Sequence, residues 1–206
     1  QILIILSSKM MKWVLGMAGV IMVLLLGAYF WWARNASKIA IFAQEGQVQY
    51  LTSGDEWKNF NSTQQTFYGS VTIKTNDGQI RAEFADGSEV SIDKNSEVKL
   101  DAGSKISLTQ STGRLWNRVR KLGGIVDYQV EMPLAVAGVR GTTFGTDVVE
   151  TGGSTNNIFT VTGKVAASAK QSSKVAKVET GTLAIIGPGE NAEIALAPIP
   201  DELKKS

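Results

Sequence analysis

Hydrophobic and polar residues follow two rhythms along this chain, and the change falls near residue 38. From Trp13 to Trp32 the stretch WVLGMAGVIMVLLLGAYFWW carries no charge over 20 residues. At about 1.5 Å rise per residue, a helix of that length spans about 30 Å, the hydrocarbon thickness of a bilayer. A helix satisfies its own backbone there. Lys12 and Arg34 bound the run, Trp13 marks one edge, and Tyr29, Trp31 and Trp32 form an aromatic belt at the other. The run is too long for the apolar part of a cleaved signal peptide, and WWARNAS is a poor cleavage site. The pattern predicts a retained transmembrane helix over 13–33 behind a short stub, 1–12. Lys9 and Lys12 before it are matched by Arg34 and Lys38 after it, so charge does not set the orientation. Size does: the large C-terminal part is expected outside the cytoplasm.

After residue 38 the period becomes two. Ile80, Ala82 and Phe84 alternate with Arg81 and Glu83; Val90 and Ile92 alternate with Ser91 and Asp93. Val98 with Leu100, Ile106 with Leu108, and Leu115 with Val119 continue the pattern. Such alternation marks strands with one buried face. Asp77-Gly78, Asp86-Gly87, Ala102-Gly103 and Gly123-Gly124 supply turns at roughly 8–12-residue spacing. The expected architecture is all-β over 40–197: many short strands in a solenoid-like stack or roll, with a two-sheet sandwich as second choice. The polar, Gly-rich stretch 150–160 reads as an exposed loop, and 198–206, with Pro198 and Pro200, as an extended tail.

Composition narrows the chemistry. The 206 residues carry a net charge of +2, with no cysteine and no histidine. A near-neutral balance gives no broad pull toward nucleic acid, and none is expected as a partner. Without His or Cys, the common serine, cysteine and metal hydrolases are excluded, and no metal or cofactor is expected. Ser8-Lys9 and Ser173-Lys174 leave a Ser–Lys dyad formally open, beside a plain reading as solvated surface. Asp86, Glu89 and Asp93 lack the repeated spacing of a calcium loop and read as solvated turns.

The stretch AVAGVRGTTFGTD, 135–147, sets one charge, Arg140, among small residues. Alternation continues through it and would send Phe144 into the core with Thr142. Gly138 and Gly141 would allow close backbone approach or a corner. A buried arginine needs partners, so Arg140 is expected to clasp that corner through Asp147, Glu131 or Asp127. An anion site is the alternative.

These residues also carry a resemblance. GRLWNRVRKLGG (113–124) followed by YQVEMPLAVAGVRGTTFGTDV (128–148) resembles the FecR domain. That family is named for a ferric-citrate signalling regulator of bacterial envelopes. Its motif falls here on Gly113, Arg114, Leu115 and Trp116, then Val130 and Pro133, then Val139, Arg140, Gly141, Thr142 and Phe144. Met132 stands where the family usually has Thr. FADGSEVSIDKNSEVKL (84–100), VTGKVAAS (161–168) and GPGENAEI (187–194) resemble further parts of the domain. The resemblance implies an extracytoplasmic β domain held at the bacterial inner membrane, with the domain in the periplasm. In the regulators of that type a cytoplasmic N-terminal region handles a sigma factor. Only the short stub precedes the anchor here, so the expected plan is a FecR-like body without that module.

The functional expectation is therefore a non-catalytic subunit or scaffold that contacts other envelope proteins, as hetero- or homo-oligomer, and touches lipid through its helix. A signalling regulator and a cell-wall polymer or ligand binder are the alternatives. On the strand 113–121, Arg114, Trp116, Arg118 and Arg120 are expected to point outward together as a partner surface. Packing of Trp116 over a neighbouring strand is the competing reading.

Overall fold

In a computed structural model of the chain, residues 8–54, 56–103, 105–121, 128–150, 154–172 and 174–201 are described. The chain divides into two units, Gln1–Asn35 and Ala36–Ser206. The first contains one helix, α1 (Ser8–Ala36). Within it Lys12–Trp31 is long and apolar enough to cross a membrane, and these residues are exposed. The expected span lies inside this longer helix, and residues 8–12 of the stub are already helical; residues 1–7 lie outside the described residues.

The second unit is built of short strands that alternate between two sheets. In the first sheet runs β1 (Lys38–Glu45); β2 (Val48–Leu51) and β3 (Lys58–Asn59) lie in the second. Then come β4 (Gln64–Tyr68) in the first and β5 (Ser70–Thr75) in the second. The hairpin β6 (Gln79–Phe84) and β7 (Glu89–Ile92) returns to the first, and β8 (Ser96–Ala102) to the second. The long strand β9 (Ile106–Arg118) joins both. Thereafter hairpins alternate: β10 (Tyr128–Glu131) with β11 (Ala135–Val139) in the second sheet, β12 (Thr143–Val149) with β13 (Thr155–Thr162) in the first. β14 (Lys164–Ala169) and β15 (Val175–Glu179) follow in the second, and β16 (Thr182–Ile186) and β17 (Ile194–Pro198) in the first. The described pairings are antiparallel except β9 with β10. The result combines both expected architectures: hairpins stacked in succession, as in a roll, but in two faced sheets, as in a sandwich.

The core lies between the sheets, and alternation puts it there. In β6, Ile80, Ala82 and Phe84 are buried while Gln79, Arg81 and Glu83 are exposed. Phe84, Tyr128 and Phe144 cross the interior edge to face, with ring centroids 6.2 and 6.3 Å apart. Tyr50, Phe60 and Phe67 form a second aromatic group near β2 and β4.

One strand departs from simple alternation. In β9 the buried positions are Ile106, Leu108 and Gln110, then Leu115 and Asn117, so the parity flips between them. The register with β8 skips Ser111, Val98 pairing with Gln110 and Glu97 with Thr112, and Gly113 just beyond has φ +81°. The extra residue, close before the left-handed glycine, forms a bulge that turns the strand. Its first half thus pairs in the second sheet and its second half in the first.

Two sequence expectations are corrected. The stretch 150–160 is not all loop: Thr155–Thr162 is β13, with Asn156, Ile158, Phe159 and Thr160 buried. The apolar alternation of NNIFT prevails over its polar start; residues 151–153 lie outside the described residues. Nor does an extended tail begin at 198. Pro198 ends β17, whose edge position tolerates a missing N–H, and Ile199 is buried with Phe159 and Leu183. Residues 202–206, and the turn at 123–124, lie outside the described residues.

Candidate functional site

The motif strand β9 is held by backbone geometry before any side chain acts. A Cβ on Gly113 would fall 2.5 Å from the Ser96 Cα, so only glycine fits. The Arg114 amide donates to Ser96 Oγ at 3.1 Å, locking β9 beside β8. Beyond that point Leu115, Asn117 and Val119 face inward, while Arg114, Trp116, Arg118 and Arg120 face outward. The expected four-residue outward set is therefore placed as read, but its members have different surroundings.

Arg114 lies opposite Asp147 across β9 and β12, and its Nη2 donates to Asp147 Oδ2 at 3.0 Å. Trp116 lies edge-on to Phe159, with centroids 4.9 Å apart. Between them in register stands Gly145, whose missing side chain leaves room for the Phe159 ring. Leu183 and Ile199 complete this small apolar cover on the outer face. Trp116 is thus half-buried by packing over neighbouring strands, the competing reading of the motif. Arg120 lies against Gly87, within the Asp-Gly-Ser turn, and its amide donates to Ser88 Oγ at 3.1 Å. Arg118 is exposed.

The corner after β11 is built differently from the expected clasp. Arg140 is exposed, and among the described residues its side chain has no hydrogen-bond or ion-pair partner. Asp147 is engaged by Arg114 and Glu131 by Lys170 at 2.6 Å; Asp127 lies outside the described residues. Alternation explains the miss. Val136 and Gly138 are on the solvent side of β11, and Arg140 follows them in parity. A Cβ on Gly138 would meet nothing closer than the Ala166 carbonyl oxygen at 4.0 Å, so that glycine marks open space rather than crowding. The corner itself is held by Gly141, with φ +64° and Lys121 packed against it, and by Thr142. Thr142 Oγ1 donates to the Lys164 carbonyl at 3.0 Å, and its carbonyl accepts from the Val119 amide at 2.9 Å. Phe144 enters the core as expected, fully buried.

Sequence reasoning passed over the polar groups that β9 turns inward. Gln110 accepts from Thr146 Oγ1 at 2.6 Å and donates to the Gly113 carbonyl at 2.6 Å, bracing the bulge. Asn117 accepts from the Tyr128 hydroxyl at 2.8 Å. Burial first, and the negative charge of Asp86 second, push the Tyr128 phenol well above its usual value. The turn acids bind their own backbone: Asp86 accepts from the Ser88 amide and hydroxyl, and Asp93 from the Lys94 amide and Gln79.

An apolar helix of membrane length followed in the chain by a two-sheet body, with a bulged Gly-Arg-Leu-Trp strand at its centre, defines a class of β-rich proteins. Residues 71–166, from β5 into β14, match the family model described as FecR protein. Two crystal structures described as "a putative anti-sigma factor" from Parabacteroides distasonis ATCC 8503 are similar in fold. Each is 16% identical to this chain, with TM-scores of 0.56 and 0.53, over 66% and 65% of this chain. The match spans 63% and 62% of those chains, less than two thirds of their length. At that identity the likeness is one of fold. No curated protein matches at a significant level.

Proposed function

We propose that the protein is a non-catalytic regulator of the bacterial envelope that works by binding another protein. In this reading α1 crosses the inner membrane once and the β body stands outside the cytoplasm. The observation that carries it is the match of residues 71–166 to the FecR family model, on a chain whose first unit holds an apolar helix of membrane length. The description of the similar Parabacteroides structures supports a regulatory use of this fold.

A second reading, a scaffold subunit, is favoured by one feature of the stack. Among the described residues β15 pairs only with β14 and β17 only with β16, so each leaves one strand edge open. Val175 and Leu196 on these strands are 68% and 53% exposed. Open edges accept further strands.

Purification of the tagged full chain from gently solubilised membranes tests both. A regulator is expected to recover a distinct partner protein and to change transcript levels when deleted. A scaffold recovers an assembly that falls apart on deletion, with transcripts unchanged. Recovery of wall polymer alone, with no protein, would contradict both readings.

A further inference from the structure

The open space over Gly138 belongs to a trough on the outer face of the second sheet. Register sets its floor: Gln129 pairs with Gly138, Gly138 with Ala166, and Ala166 with Lys177. The two middle positions carry the smallest side chains, so the surface sinks there. The hollow has a volume of about 800 Å³. Val139 and Val175 add apolar lining, and Arg140, Lys164 and Lys177 supply positive charge. Four strands at about 4.8 Å spacing make it about 14 Å long, the reach of about four extended residues.

Two features indicate what the trough accepts. Glu179 Oε1 lies 3.5 Å from both Lys164 Nζ and Lys177 Nζ, so one carboxylate oxygen already stands between two ammonium groups. Arg140 has no such partner among the described residues. Three cations against one carboxylate leave the rim positive, and the free guanidinium presents the paired donors that a second carboxylate matches.

We propose that this trough binds an acidic, extended segment of a partner protein. Arg140, Lys164 and Lys177 take its carboxylates, and Gly138 and Ala166 admit its backbone. The proposal rests on the protein-binding reading above and names its surface. The apolar walls and the four-residue length favour a polypeptide over a lipid headgroup, which needs charge but no channel.

The test uses the full chain in detergent micelles and a fluorescent peptide of alternating glutamate and valine, read by anisotropy. Combined Arg140→Ala and Lys177→Ala should weaken binding about tenfold or more, as loss of charged hydrogen bonds does. Glu179→Gln should tighten it, because the internal competitor loses its charge. Both effects should shrink at high salt. All three residues are exposed, so melting temperatures should stay unchanged. Peptide affinity unmoved by these variants, or equal binding of a lysine–valine peptide, would overturn the proposal. So would short-chain phosphatidylglycerol occupying the same residues more tightly than the peptide. If a partner from membranes is recovered equally well by the doubly substituted chain, the trough falls while the protein-binding reading stands.

Discussion

A methyl group added to Gly145 would fall inside the Phe159 ring, which in turn lies against Trp116. Gly145→Ala is therefore expected to cost about 1–3 kcal/mol, as overpacking does, and the loss should shrink in a Phe159→Ala background; thermal melts of the four chains check this. The two motif arginines should separate cleanly in the same assay. Arg114→Ala leaves partly buried Asp147 without its 3.0 Å partner and should cost about 1–3 kcal/mol. Arg140→Ala, at an exposed position without a side-chain partner among the described residues, should stay within about 0.5 kcal/mol. Tyr128 makes stability depend on pH. Its folded phenol holds the proton above the ordinary value of 10.0, whereas the unfolded chain gives it up there. The contribution is complete below that value and is lost as pH climbs beyond it. Tyr128→Phe should flatten the fall in melting temperature between about pH 9 and 11; an equally steep fall would contradict the assignment.

At the scale of elements, alternation located the strands wherever one face is apolar. QIRAEF could be read as β6 because nothing in it competes with period two. β9 could not be read whole. Its flip of parity depends on one extra residue, Ser111, close before the left-handed Gly113, and that glycine looks in sequence like an ordinary turn residue between two strands. β13 was hidden by the opposite cause: its first residues are polar, yet Asn156 is buried because its Oδ1 accepts from the Leu134 amide at 2.7 Å. A long-range bond of that kind leaves no local signal. The C-terminal strand shows the same dependence on distant partners. Ile199 seals the cover over Phe159 and Leu183, so Ile199→Ala should cost about 2 kcal/mol or more. Amide exchange should speed first in β16 and β17; uniform acceleration through the body would argue against a local seal.

For the molecule as a whole, the division into an apolar helix and a β body was legible at once, since composition and period both change near residue 38. The candidate site was legible in part. The motif drew attention to Arg114, Trp116 and Arg140, but their surroundings depend on which side of a strand each one takes. Among the described residues Arg114 is paired and Arg140 is not, because parity, not surrounding residue size, decides exposure. Seen this way, the small residues of AVAGVRG hollow the outer surface as much as they pack the inner one, and leave Arg140 at the rim.

The account depends most on that body standing outside the cytoplasm on a membrane anchor. The chain lacks cysteine, so a single Lys99→Cys, exposed on β8, reports position alone. With a membrane-impermeant thiol reagent on intact spheroplasts, the account predicts labelling before lysis, on protein recovered in the membrane pellet. Labelling only after lysis, or recovery in the soluble fraction, would contradict it.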